Sequence, residues 1–156
     1  MRHRIGGHRP KPATHVGLLP HEVKWIRILT MARRYLTTEE AESAIKRGRR
    51  IECFVGAFGV HRAGLLWLSI NAGPEDGELT VECYVSADRG GEDFVDVYEF
   101  GPLDEALEMD EPDQILRFYD FDSLWVSLAH QFPGSVARLV NEGVIQDVYL
   151  DFKRCA

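Results

Sequence analysis

From residue 51 onward the hydrophobic pattern has a period of two, and this constrains the fold more than any other feature of the chain. Residues 51–60 are apolar on both alternating faces, with Cys53, Val55 and Ala57 on one and Phe54, Phe58 and Val60 on the other. Such a run suits a central strand covered on both sides. A turn at Arg62-Ala63-Gly64 leads into a second apolar run over 65–71. The turn Gly73-Pro74-Glu75-Asp76-Gly77 then introduces Leu79, Val81, Cys83 and Val85 alternating with Thr80, Glu82, Tyr84 and Ser86, a half-exposed strand. After Asp88-Arg89-Gly90-Gly91-Glu92, Val95 and Val97 oppose Phe94, Asp96, Tyr98 and Phe100. A meander of four antiparallel strands follows, with 114–121 as a fifth strand. Residues 144–152, carrying Ile145, Val148, Leu150 and Phe152, close the chain as a sixth.

Helical signals flank this pattern. Thr37 with Glu40 forms a capping box for a helix over 38–47, Leu36 can staple onto Ala41, and Gly48 supplies a left-handed stop. Ala41, Ala44 and Ile45 form its narrow apolar stripe. Gly101-Pro102 breaks the meander, and residues 103–109 fit one acidic helical turn. Asp122 or Ser123 caps a helix through Phe132 that turns Leu124, Trp125, Leu128 and Phe132 inward; another runs from Ser135 to Glu142 and stops at Gly143. With 156 residues and 45% hydrophobic content there is enough apolar surface for a real core. The expected class is α+β: an antiparallel meander sheet of about five to six strands with the helices packed on one face.

The net charge of −7 conceals two opposed halves. Through Arg50 there are 12 basic and 4 acidic residues, net +8; beyond it there are 6 and 21, net −15. All of that −15 lies between Glu75 and Asp122, where Arg89 and Arg117 stand among seventeen carboxylates. Residues 1–36 read as a basic extension, flexible or partly helical, ahead of a single domain over 37–156. Trp25, Ile28, Leu29, Ala32 and Leu36 share one face of a helix over 21–36. The extension has three readings: a targeting peptide, a basic amphipathic arm, or leader sequence upstream of a start at Met31, the last being favoured. Fourteen arginines against four lysines point to a GC-rich, bacterial coding sequence.

Chemical motifs are scarce. Cys53, Cys83 and Cys155 are odd in number and widely spaced, which fits neither a disulfide framework nor a zinc site and favours a reducing cytoplasm. A nucleophilic site built from Cys53 or Cys83 with His61 and Asp88 lacks any local signature, and buried, inert thiols are the plainer reading. His61 and His130 stand alone, the acids 110–113 and 120–122 lack calcium-loop spacing, and no phosphate-binding loop is present. No metal, cofactor or nucleotide is therefore expected. No apolar window reaches the roughly 20 residues of a membrane span. The basic residues between Arg33 and Arg50 face a strongly negative domain, which argues against nucleic acid.

What remains is an acidic surface carrying exposed aromatics, a composition suited to a basic protein partner. Asp96, Tyr98, Asp110, Glu111, Asp113, Tyr119, Asp120 and Asp122 are the candidate contact residues. The expected function is a small non-enzymatic binding protein, inhibitor- or antidote-like, acting through residues 75–122. Two alternatives stay open: an enzyme with a pocket between sheet and helices near His61, His130, Asp120 and Asp122, and a homodimeric assembly module.

Overall fold

The computed structural model describes residues 34–59 and 64–155. The basic extension up to Arg33, the turn residues Arg62 and Ala63, and His61 lie outside the described residues. Helix α1 (Thr38–Lys46) is followed by strands β1 (Ile51–Phe58), β2 (Gly64–Ala72) and β3 (Leu79–Ala87). A 3-10 turn (Val97–Glu99), strand β4 (Gln114–Phe118), helix α2 (Phe121–Gln131), a second 3-10 turn (Ser135–Arg138), strand β5 (Leu139–Asn141) and helix α3 (Ile145–Cys155) complete the order. The fold is α+β. Its one sheet has five antiparallel strands in the order β4-β3-β2-β1-β5, within the expected count of five to six.

The capping box forms as its spacing predicts: Thr37 Oγ1 accepts from the Glu40 amide at 3.2 Å, and Glu40 Oε2 accepts from the Thr37 amide at 2.9 Å. Gly48 takes the left-handed conformation, φ 74°, that ends α1. α2 starts two to three residues earlier than expected, because Asp120 rather than Asp122 or Ser123 is its cap.

The helices do not all lie on one face, as the sequence suggested. One core joins α1 and α2 to Ile51, Cys53, Leu66, Leu68, Ile70, Val81, Cys83 and Leu139. A second core on the opposite face joins α3 and the segment 88–102 to Phe54, Leu65, Trp67 and Val140. The reason lies in β1 and β2, which are apolar on both faces and so need two covers. The covering segment 88–102 is not the expected strand: Asp96 accepts from the Tyr98 amide at 3.2 Å and bends the chain into the 3-10 turn. That leaves the edge of β3 to β4. The expected closing strand is a helix instead, since Ile145, Val148, Tyr149 and Phe152 fall at helical spacing and form one packed stripe. The expected helix from Ser135 shortens to a 3-10 turn, because Leu139–Asn141 pairs with Ile51–Cys53 as β5. Residues 103–110 form turns rather than a helical turn.

β5 covers only the first three residues of the outer edge of β1. Beyond it, Arg138 Nη1 donates to the Val55 carbonyl at 3.3 Å, and Gly56, with φ 132°, carries the register shift against β2. The 88–102 cover is held to α3 by Tyr149, whose hydroxyl donates to Asp88 Oδ1 at 2.6 Å, and by the Lys153–Asp88 ion pair at 3.1 Å. At Gly90 a Cβ would collide with the Phe100 ring, the Tyr149 hydroxyl and the Phe94 carbonyl. Gly90→Ala should therefore lower unfolding stability by about 1–3 kcal/mol, measured by chemical denaturation. Gly91→Ala, where the added methyl meets nothing within 4 Å, should cost far less.

Candidate functional site

The eight candidate contact residues fall in three separate places. Asp96 and Tyr98 belong to the 88–102 cover, where Asp96 also accepts from Gln146 Nε2 at 3.1 Å. Tyr119, Asp120 and Asp122 sit where β4 passes into α2. Asp120 is the α2 cap, accepting from the Ser123 amide at 2.7 Å and its hydroxyl at 2.8 Å, and these bonds hold its carboxyl below the usual range. Asp122 is exposed in the first helical turn, where a carboxylate favours the positive end of the helix dipole. Asp110, Glu111 and Asp113 lie on the loop that enters β4.

Around Tyr119 and Asp120 is a cavity of about 600 Å³ that also takes in Lys46, Glu75, Asp76 and Glu78. Glu78 is buried and paired with Arg117 Nε at 2.9 Å, and it accepts from the Glu75 amide at 3.1 Å. The Tyr119 hydroxyl donates to Glu75 Oε2 at 3.3 Å, and the negative charge of Glu75 pushes the phenol above its ordinary range. Most of this wall is thus occupied by internal bonds.

The 103–113 loop is different. Asp104, Glu105, Glu108, Asp110, Glu111 and Asp113 are all exposed, and among the described residues none of them makes an ion pair. Their hydrogen bonds are local, with the exception of Asp113, whose Oδ2 accepts from the Val85 amide at 2.6 Å and anchors the loop to β3. Beside them opens a cleft of about 470 Å³ lined by Phe58, Val85, Leu103 and Phe132, with Asp104 and Asp113 at its wall. Phe58, Leu103 and Met109 are large apolar side chains left exposed in this region. The apolar half of this feature was not singled out from sequence, although Phe58 and Phe132 were assigned to the core.

A second polar feature, also missed, crosses the sheet face under the 88–102 cover. At one register level Val140, Glu52, Ser69, Glu82 and Ile115 stand side by side on β5, β1, β2, β3 and β4. Glu52 is fully buried. Its Oε1 accepts from the Tyr98 hydroxyl at 2.5 Å, and its Oε2 accepts from the Gly143 amide at 3.0 Å. Desolvation pushes its carboxyl above the usual range, against the opposing pull of these two bonds. Ser69 Oγ is buried without a hydrogen-bond partner among the described residues. Glu82 is half-buried, and its Oε2 accepts from the Tyr84 hydroxyl at 3.3 Å. The Tyr84 ring stacks on Trp67 at 4.3 Å, and Tyr98 meets Trp67 edge-on at 5.6 Å. The alternation itself carried a signal here: Glu52 in an otherwise apolar strand is a buried acid whenever both faces are covered.

The residues of the enzyme reading do not converge among the described residues. His130 is exposed at the end of α2 opposite Asp120, and the 11-residue helix sets them roughly 15 Å apart. Asp88 is engaged by Tyr149 and Lys153 under α3. Burial pushes the Cys53 thiol up to about 12 and the Cys83 thiol up to about 11, so neither is a thiolate at neutral pH. No group of three or more His, Cys, Asp or Glu among the described residues could hold a metal ion, and no described helix is long and apolar enough to cross a membrane. Comparison of the chain with family models, with curated proteins and with solved structures gave no match.

Two outcomes follow from this geometry. In the native protein only the exposed Cys155 should react rapidly with a thiol reagent, and all three cysteines should react after denaturation. Glu52 holds its proton more tightly in the folded than in the unfolded chain. Its contribution to stability is therefore fully present below the ordinary glutamate range of about 4.3 and is lost as pH rises through the raised folded value. Unfolding free energies measured across this range should fall with pH in the wild type relative to Glu52→Gln.

Proposed function

We propose that this chain is a small, acidic, non-enzymatic binding protein of the cytoplasm that engages a basic protein partner, in the manner of an inhibitor or antidote. The observation that carries this reading is the 103–113 loop: six exposed carboxylates without ion pairs among the described residues, set beside an open apolar cleft. Surface carboxylates left unpaired steer a cationic partner and raise its association rate, while apolar contacts in a desolvated cleft hold the complex. An amphipathic segment with basic and apolar faces matches both halves. The contact surface on this reading is narrower than 75–122. Asp110 and Glu111 remain in it, Asp113 shapes it, and the internally bonded Asp96, Tyr98 and Asp120 contribute to the fold.

Affinity capture from the source cell extract at low salt, with mass spectrometry of what salt elutes, tests the proposal. A basic protein should be retained by the wild type and lost from Glu105→Lys/Glu108→Lys/Asp110→Lys, which alters no bond that anchors the loop. The association rate of the identified pair should fall by at least about tenfold between low and physiological salt. Binding that is indifferent to salt and to these substitutions would overturn it. A homodimeric reading is favoured by one observation, the outer edge of β4, unpaired among the described residues and beside the exposed Ile115. Gel filtration at high salt distinguishes it, since an edge-paired dimer persists there.

A further inference from the structure

The polar row under the 88–102 cover leaves two carboxylates and one hydroxyl unbalanced. Among the described residues neither Glu52 nor Glu82 has a cationic partner within ion-pair distance, although Glu52 is fully buried. Arg50 is close enough to favour ionisation of both Glu52 and Tyr84, but its guanidinium is paired with Glu142 at 3.5 Å; Glu142 and Asp110 add negative charge nearby. Ser69, on the strand between the two glutamates, points to the same face and has no partner for its hydroxyl among the described residues. Buried charges are ordinarily paired, and buried hydroxyls are ordinarily bonded.

We propose that Glu52, Ser69 and Glu82 form a binding site for a primary ammonium group. An ammonium is a compact point charge with three donors, which matches two carboxylates and one serine oxygen on adjacent strands. Trp67, Tyr84 and Tyr98 pack on one another beside the row, with Tyr84 stacked on Trp67 and Tyr98 edge-on to it. A metal ion is the poorer match, because oxygen-binding divalent cations take about six or more ligands and no group of three acidic, histidine or cysteine ligands is present among the described residues. The ligand enters from the side of Glu82 and Tyr84, which are half-exposed, since Tyr98 and the Gly143 turn seal Glu52 on the other side. The ammonium belongs either to a free small amine or to a lysine side chain of another protein. This site lies on the opposite sheet face from the apolar cleft, so it stands or falls independently of the proposed function.

The test titrates the full chain with butylamine, using butanol as the neutral isostere, and follows thermal unfolding together with tryptophan fluorescence. Butylamine should raise the unfolding temperature saturably, and butanol should not. Ser69→Ala and Glu82→Gln should each weaken the butylamine response by about tenfold or more. Ser69→Ala removes an unsatisfied buried hydroxyl, so it should unfold no lower than the wild type, and loss of binding in it cannot be ascribed to misfolding. Glu105→Lys/Glu108→Lys, in the acidic loop and away from the row, should bind butylamine within a fewfold of the wild type. Equal shifts with butanol, or unchanged titrations in Ser69→Ala and Glu82→Gln, would overturn the assignment. A capped Ala-Lys-Ala peptide supplies the second arm: tighter binding than butylamine identifies a protein lysine as the source, and weaker binding identifies a free amine.

Discussion

β1 and β2 are apolar on both faces, and the rest of the structure answers that constraint. A strand pair of this kind must be covered twice, yet the described chain has only three helices for two faces. α1 and α2 take one face. The other receives α3 and the irregular segment 88–102, which must behave as a cover without regular backbone pairing. It does so through side-chain bonds: Asp96 to Tyr98 and Gln146, Tyr149 and Lys153 to Asp88, and Tyr98 to Glu52. Glu52 is the point at which these ties reach the centre of the sheet, because its two oxygens hold the cover and the turn before α3 at once.

What was legible in the sequence is what local chemistry decides. The Thr37–Glu40 box, the Gly48 stop and the alternation through Val85 each fix their element from within, and each appears as read. The errors fall where two periods overlap or where a distant partner chooses. Ile145, Val148 and Phe152 satisfy a loose alternation, and the helix becomes evident only when Tyr149 is counted with them. Phe94–Phe100 alternates well, but the Asp96 side chain captures the backbone two residues on before any strand partner can. β5 was invisible for a different reason, since three residues acquire strand character only by lying beside Ile51–Cys53.

The candidate sites were legible to a lesser degree. Charge counting locates an acidic middle, but it cannot separate carboxylates bonded inside the fold from those that are free. Asp113 and Asp120 look alike in composition to Glu105 and Asp110. One pair serves the backbone, anchoring a loop and capping a helix, and the other reaches solvent. The Glu52–Ser69–Glu82 row needed the strand register, which sets residues about 15 positions apart side by side.

The three-residue strand β5 has a bearing on the order in which the protein assembles. β1, β2, β3 and β4 join neighbours along the chain, so most of the sheet closes through loops of modest length, the longest being the one between β3 and β4. The β1–β5 pair, by contrast, joins Ile51 to Asn141, across most of the described chain. Contacts that distant carry the greatest loop-closure entropy and form late. The turn that donates Gly143 to Glu52 follows immediately on β5, and α3 follows the turn. On loop-closure grounds the second face of the sheet is expected to seal last, with the apolar surfaces of Phe54, Leu65 and Trp67 open to water until it does.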